Sequence, residues 1–161
     1  MEDKELPVKE KEKEAQSIIN NYVLGAMGVG LVPLPFLDMI ALTGVQLKMI
    51  HSLANCFNLK FSSSIGKSII GSLLGGTLPI TFTPLVGSLI KIIPLVGHTA
   101  SAVTMPIVSG AATYALGKVF LAHFATGGTM LDFDPEEVRA YFAEQFKEGK
   151  QVASTLQAPK S

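Results

Sequence analysis

Between Ala15 and Leu131 the chain carries only six charged side chains: Asp38, Lys48, Lys60, Lys67, Lys91 and Lys118. All its other charges lie at the two ends, so the zero net charge hides a polar–apolar–polar layout. A middle this apolar must be solvated by packed protein or by lipid, because water rejects it. A soluble domain normally carries about 25% charged residues; this chain has 16%. Three stretches, Ala15–Leu37, Ser68–Ile90 and Ile92–Gly117, hold no Asp, Glu, Lys or Arg. Each matches the roughly 20 residues that cross a bilayer as helix. None is an uninterrupted span, because Pro33, Pro35, Pro79, Pro84, Pro94 and Pro106 break them.

The length fits one domain. The charged residues 1–14 read as a solvated helical lead-in or a frayed tail, 15–153 as a single helical domain, and 154–161 as a disordered tail. The mixed-charge start leaves no cleavable signal peptide to expect. Cys56 is the sole cysteine, so no internal disulfide forms and the thiol reads as a small buried hydrophobe.

The apolar periodicity predicts an all-α fold of about six helices. The first covers about 9–31 and ends at Pro33; the second covers about 35–57, with Pro35 at its first position. Ser62, Ser63 and Ser64 offer an N-cap for a third over 64–74. A fourth covers 84–93 and a fifth 99–125, kinked at Pro106 and closed by Gly127-Gly128. Asp134-Pro135-Glu136-Glu137 starts an amphipathic sixth helix over 135–153. Two proline-tipped hydrophobic hairpins result, turning at Leu31–Phe36 and near Ile92–Gly97. No strand alternation occurs.

At 100° per residue, the second helix gathers Asp38, Lys48, His51, Ser52 and Asn55 on one arc. Gln46 and Thr43 point to the apolar side, where they are expected to bond to a neighbouring helix. Asp38, Gln46, Lys48, His51 and Asn55 are the candidate functional polar residues. Asp38 is the only acid of the middle; three readings of it stay open: a complement to the helix dipole, a partner of Lys91 or Lys48, and part of an ion path. Small residues at Gly71, Gly75, Gly110, Ala111, Ala115 and Gly117 have spacings that let helices approach closely.

Catalytic and cofactor motifs are not found. Phe61–Ser68 looks like the end of a phosphate loop, but its first glycine and the preceding strand are missing. His51, His98 and His123 have no second ligand at metal-binding spacing. No nucleophile, base and acid assemble. No enzyme activity, cofactor, metal or nucleic-acid partner is expected.

Gly28-Val-Gly-Leu-Val-Pro-Leu-Pro-Phe-Leu-Asp38, followed by Gln46-Leu-Lys-Met-Ile50, resembles the opening signature of a bacterial family of unknown function catalogued under the number 697. Ile93-Pro-Leu-Val-Gly97, Gly110-Ala-Ala-Thr-Tyr-Ala-Leu-Gly117 and Gly127-Gly128 resemble its second signature. The resemblance covers roughly residues 15–150. It implies a hydrophobic, helical, membrane-associated module, commonly joined to a GTPase domain, and no catalytic residues. No GTPase domain is present here, so a GTPase would be a separate partner.

Three readings remain open. The first is a non-enzymatic membrane-associated module at the cytoplasmic membrane, with cytoplasmic termini, that forms homo-oligomers and anchors or recruits a GTPase. The second is a pore- or transport-forming oligomer with the polar residues of the second helix lining a path. The third is a soluble all-α interaction domain that buries its apolar middle in an oligomer.

Overall fold

The computed structural model describes the backbone of residues 2–31 and 35–157, and the side chains of 8–31, 40–76 and 105–157. It is all-helical, with no strand among the described residues. The elements are α1 (Glu2–Val29), α2 (Pro35–Cys56), α3 (Ser63–Ala125) and α4 (Pro135–Gln157).

Local chemistry sets the helix ends. Asn58 adopts φ 58°, and the Leu59 N–H donates to Ala54 O at 2.8 Å, closing α2. Asparagine tolerates this left-handed geometry better than most residues. Ser62 caps α3 by accepting the Ile65 N–H at 3.4 Å. At the far end Gly127 takes φ +93°, while the Gly128 N–H reaches back to His123 O at 2.9 Å. A glycine at that position relieves the Cβ clash of the left-handed region. Asp134 accepts the Glu136 N–H at 2.9 Å and so starts α4.

The core centres on residues 105–125 of α3. Ile19 of α1 lies against Gly117, Met27 against Gly110, and Gly30 against Pro106, so α1 runs antiparallel to this segment. Tyr22 pairs with Ser52 at 3.2 Å and Cys56 Sγ donates to Lys11 O at 3.4 Å, making α2 antiparallel to α1. Gly149 sits on Ala111, and Ala153 approaches Gly110, so α4 is also antiparallel to the central segment. Three helices therefore surround residues 105–125. The buried positions Ala15, Ile19, Val23, Ala26 and Met27 of α1 follow a helical period and face inward. Phe142, Gln145, Phe146, Gly149 and Ala153 do the same on α4.

Three corrections to the sequence reading follow. The stretches expected as third, fourth and fifth helices join into one element, α3. Straight, its 63 residues would extend about 95 Å. Yet Gly66 packs on Leu47 while Thr113 bonds to Gln46 next door. The two parts of α3 whose side chains are described, 63–76 and 105–125, therefore fold onto the same core rather than lying on one line. Second, α1 begins at Glu2 rather than near residue 9: the Glu and Lys residues of the lead-in are good helix formers and continue the helix that follows. Third, α4 continues four residues beyond the expected end, through Gln157, with Ser154 and Thr155 donating their hydroxyls to Lys150 O and Gln151 O in the added turn. The turn expected at Pro33 lies outside the described residues, and at Pro94–Gly97 only the backbone, within α3, is described.

Candidate functional site

The bundle is polarised along its length. Among the described residues the large apolar side chains left exposed include Leu31 (63%), Ile40 (72%), Met105 (43%) and Leu156 (43%). Contacts place these four at one end. Leu31 follows Gly30, whose Cα faces Pro106, next to Met105. Ile40 precedes by six residues Gln46, which bonds to Thr113 of the parallel central segment. Leu156 follows Ala153, which approaches Gly110. All four therefore come to the level where residue 105 enters the bundle. Leu24, half exposed, extends the patch along α1. The opposite end carries Lys9, Glu12 and Lys13 of α1 and Asp132, Asp134, Glu136 and Glu137 of the α3–α4 junction.

Leu131, Val8 and Tyr141 are also exposed, at the charged end, but there they stand among charged side chains; a rim of four apolar side chains gathered at one end marks a surface that meets another apolar phase. Full burial of one such side chain is worth about 1.5–3 kcal/mol. Scaled by the four exposures, the rim offers roughly 3–7 kcal/mol. Sequence reading missed it, because Leu31 and Ile40 flank a proline turn and Leu156 lies in a presumed tail. Only the packing brings them together.

The polar residues of α2 divide. Gln46 is fully buried and donates from Nε2 to Thr113 Oγ1 at 3.3 Å. Its Oε1 has no partner among the described residues. Lys48, His51 and Asn55 face outward, and the His51 ring stacks on Phe61 at 4.7 Å. These residues do not line a common path among the described residues: Gln46 lies on the opposite face of the helix, as its position on the apolar side of the wheel requires. The Asp38 side chain, and those of Lys91 and His98, lie outside the described residues.

The small-residue positions also divide. At Gly110 a Cβ would press on Met27 at 2.8 Å; at Gly117 it would press on Ile19 at 2.7 Å. Ala111 and Ala115 are fully buried, and the Ala111 backbone is where Gly149 packs. Gly71 and Gly75 instead face open space among the described residues, so no close helix contact is made there. Spacing alone does not distinguish the two sets, because long-range packing decides.

His123 forms a small polar knot at the charged end. Its Nε2 lies 2.8 Å from Thr129 O and 3.0 Å from Asp132 Oδ1. Both are acceptors, so Nε2 carries the proton and donates to the pair. The Thr129 N–H donates to the same carboxylate oxygen at 2.6 Å. That backbone donor, with the His123 and Thr129 side chains, holds the Asp132 carboxyl below its usual range. Burial, together with the nearby Glu14 carboxylate, pushes the Cys56 thiol up, which disfavours the reactive thiolate. Among the described residues no three His, Cys, Asp or Glu side chains group as a metal site.

One described helical segment, Met105–Ala125, is long and apolar enough to cross a membrane. It is 67% buried inside the bundle; its surroundings already account for its apolar character as a core helix.

Residues 4–151 match the model of a family described as a domain of unknown function, DUF697. The chain is 38% identical over 147 residues to magnetosome membrane protein 22 of Magnetospirillum gryphiswaldense, an alignment covering 91% of this chain and 75% of that protein. No solved structure matches it significantly.

Proposed function

From its membership of the family of domains of unknown function DUF697, to which this chain belongs, we propose that it is a non-enzymatic helical module that docks on a membrane through the apolar end of its bundle. The observation that carries this reading is the gathering of Leu31, Ile40, Met105 and Leu156 at one end, opposite the charged end. The stretch 77–104 rejoins the bundle at Met105 and holds one charge, Lys91, in its sequence. Its composition supports entry into the same apolar phase. A relative named as a membrane protein supports the reading independently. The charged end then faces the aqueous side, where the module self-associates and presents a surface for a GTPase. In this arrangement the cytoplasmic membrane, with cytoplasmic termini, is the setting.

Flotation with lipid vesicles tests the reading. The wild-type chain is expected to float with vesicles. The combined change Leu31→Glu, Ile40→Glu and Met105→Glu is expected to leave it at the bottom of the gradient with its helical circular dichroism unchanged, because these side chains are exposed. Equal flotation of the two proteins sinks the assignment of the apolar end.

A further inference from the structure

At the charged end α1 and α4 splay apart over the last turns of α3. The two helices converge where Met27 and Ala153 both press on Gly110. Away from that point they separate, and a groove of about 590 Å³ opens between them. Its floor is apolar, made by Leu121, Ala122 and Ala125. Lys9, Lys13 and Lys118 stand on its wall, against a single acid, Glu12. Lys118 is held in place, donating to Gln16 Oε1 at 3.0 Å. Read along the sequence, residues 1–14 alternate in sign and make no patch. The fold selects Lys9 and Lys13, one helical turn apart, and adds Lys118 from a distant segment.

The loop that leaves α3 beside this groove carries the complementary chemistry. Leu131 is 86% exposed, more than any other large hydrophobic side chain among the described residues. Acids flank it: Asp132, Asp134, Glu136 and Glu137. Hydrogen bonds tie the loop down around it. The Leu131 N–H donates to Thr129 Oγ1 at 3.3 Å, and the His123–Thr129–Asp132 knot ties both sides of the residue to the end of α3. An apolar knob on a pre-ordered loop loses little freedom when it binds.

We propose that two copies of this chain pair at their charged ends, with Leu131 of each copy seated in the groove of the other and its acidic neighbours facing the groove lysines. Groove and knob lie at the same end of one molecule, since Ala125 of the floor precedes Leu131 by six residues. A two-fold axis therefore satisfies both contacts at once and closes the assembly at two copies. The opposite charges fix the register and make pairing weaken with salt. Such a pair would leave both apolar ends free. This inference rests on the self-association in the proposed function and names its surface.

The test is sedimentation of the full chain in detergent. Wild type is expected to show a monomer–dimer equilibrium. Leu131→Ser is expected to weaken it about tenfold or more, as for loss of an interface anchor. The double change Lys9→Glu, Lys13→Glu, on an exposed helix face, should weaken it as well, and so should Glu136→Lys, Glu137→Lys. Mixing those two double variants should restore pairing, because only the mixed dimer matches acid with base at both contacts. Pairing by Leu131→Ser as tight as wild type overturns the proposal while leaving self-association itself intact. A wild-type chain that stays single at all concentrations overturns both. Neither outcome bears on vesicle flotation, which Leu131→Ser should leave unchanged.

Discussion

Replacing Gly149 with alanine is the sharpest test of how the bundle is held together. A Cβ at this position would stand 2.9 Å from Ala111 O, 3.0 Å from Ala111 Cα and 3.1 Å from Tyr114 Cβ. The first two are backbone atoms of a buried helix, so no side chain can swing away to make room. Such overpacking costs about 1–3 kcal/mol. Alanine also gains about 1 kcal/mol of helix propensity over glycine. The net expectation is a loss of roughly 0–2 kcal/mol. Gly71→Ala supplies the internal control, since Gly71 is exposed and its Cβ would meet nothing within 4 Å among the described residues. It keeps the propensity gain and adds no clash, so it should stabilise by about 0.5–1 kcal/mol. The two variants should differ by about 1–3 kcal/mol, or about 2–12 °C in melting temperature for a chain of this size. Thermal unfolding followed by circular dichroism in one detergent reads that difference. If Gly149→Ala melts at or above Gly71→Ala, the close seating of α4 on the central segment is wrong.

Three further perturbations follow from the core and the loop. Gln46→Leu removes the buried unpaired Oε1 along with one long hydrogen bond, so stability should stay level or rise by about 1–2 kcal/mol; a loss beyond about 2 kcal/mol in urea unfolding would mean that Gln46 is fully satisfied in the fold. Phe120→Ala empties a fully buried site where the ring stacks on Phe133 at 4.6 Å and tilts against Phe124 at 5.5 Å; the expected cost is about 3–5 kcal/mol, and a cost under about 1 kcal/mol would refute the placement. Asp132 has a depressed folded-state value, so its ionised form stabilises the fold above the unfolded value of about 4 and loses that contribution as pH falls through the lower folded value. The urea midpoint of wild type should therefore exceed that of Asp132→Asn near neutrality and converge with it on acidification below about pH 4; a pH-independent gap would show that the charge is not what the loop uses.

Much of the helical plan was legible in the sequence because the signals are local. Pro35 begins α2, the Asp134-Pro135-Glu136-Glu137 run begins α4, and Gly127-Gly128 ends α3. The wheel of α2 also placed Gln46 toward the core, where it meets Thr113. What was not legible depends on contacts distant in the chain. The prolines within 63–125 read as helix ends; helical backbone runs through them, although Gly66 and Thr113 both return to the same part of α2. Gly71 and Gly110 carry the same kind of small-residue spacing, but only Gly110 has helices pressing on it from two sides. The charge desert has a partial explanation in packing. Residues 106–125 are apolar because α1, α2 and α4 enclose them, whereas Leu31, Ile40, Met105 and Leu156 are apolar and left open. That unburied remainder, rather than the whole desert, carries the argument for a membrane.

In the proposed arrangement this open apolar end, and not the charged end, meets lipid. The most direct measurement places an environment-sensitive fluorophore on a cysteine at Leu31 or at Glu136, each in a Cys56→Ser background, and adds vesicles containing brominated acyl chains. A blue shift and quenching are expected for the label at position 31, with neither for the label at 136. Quenching at 136, or the absence of any change at 31, would contradict it.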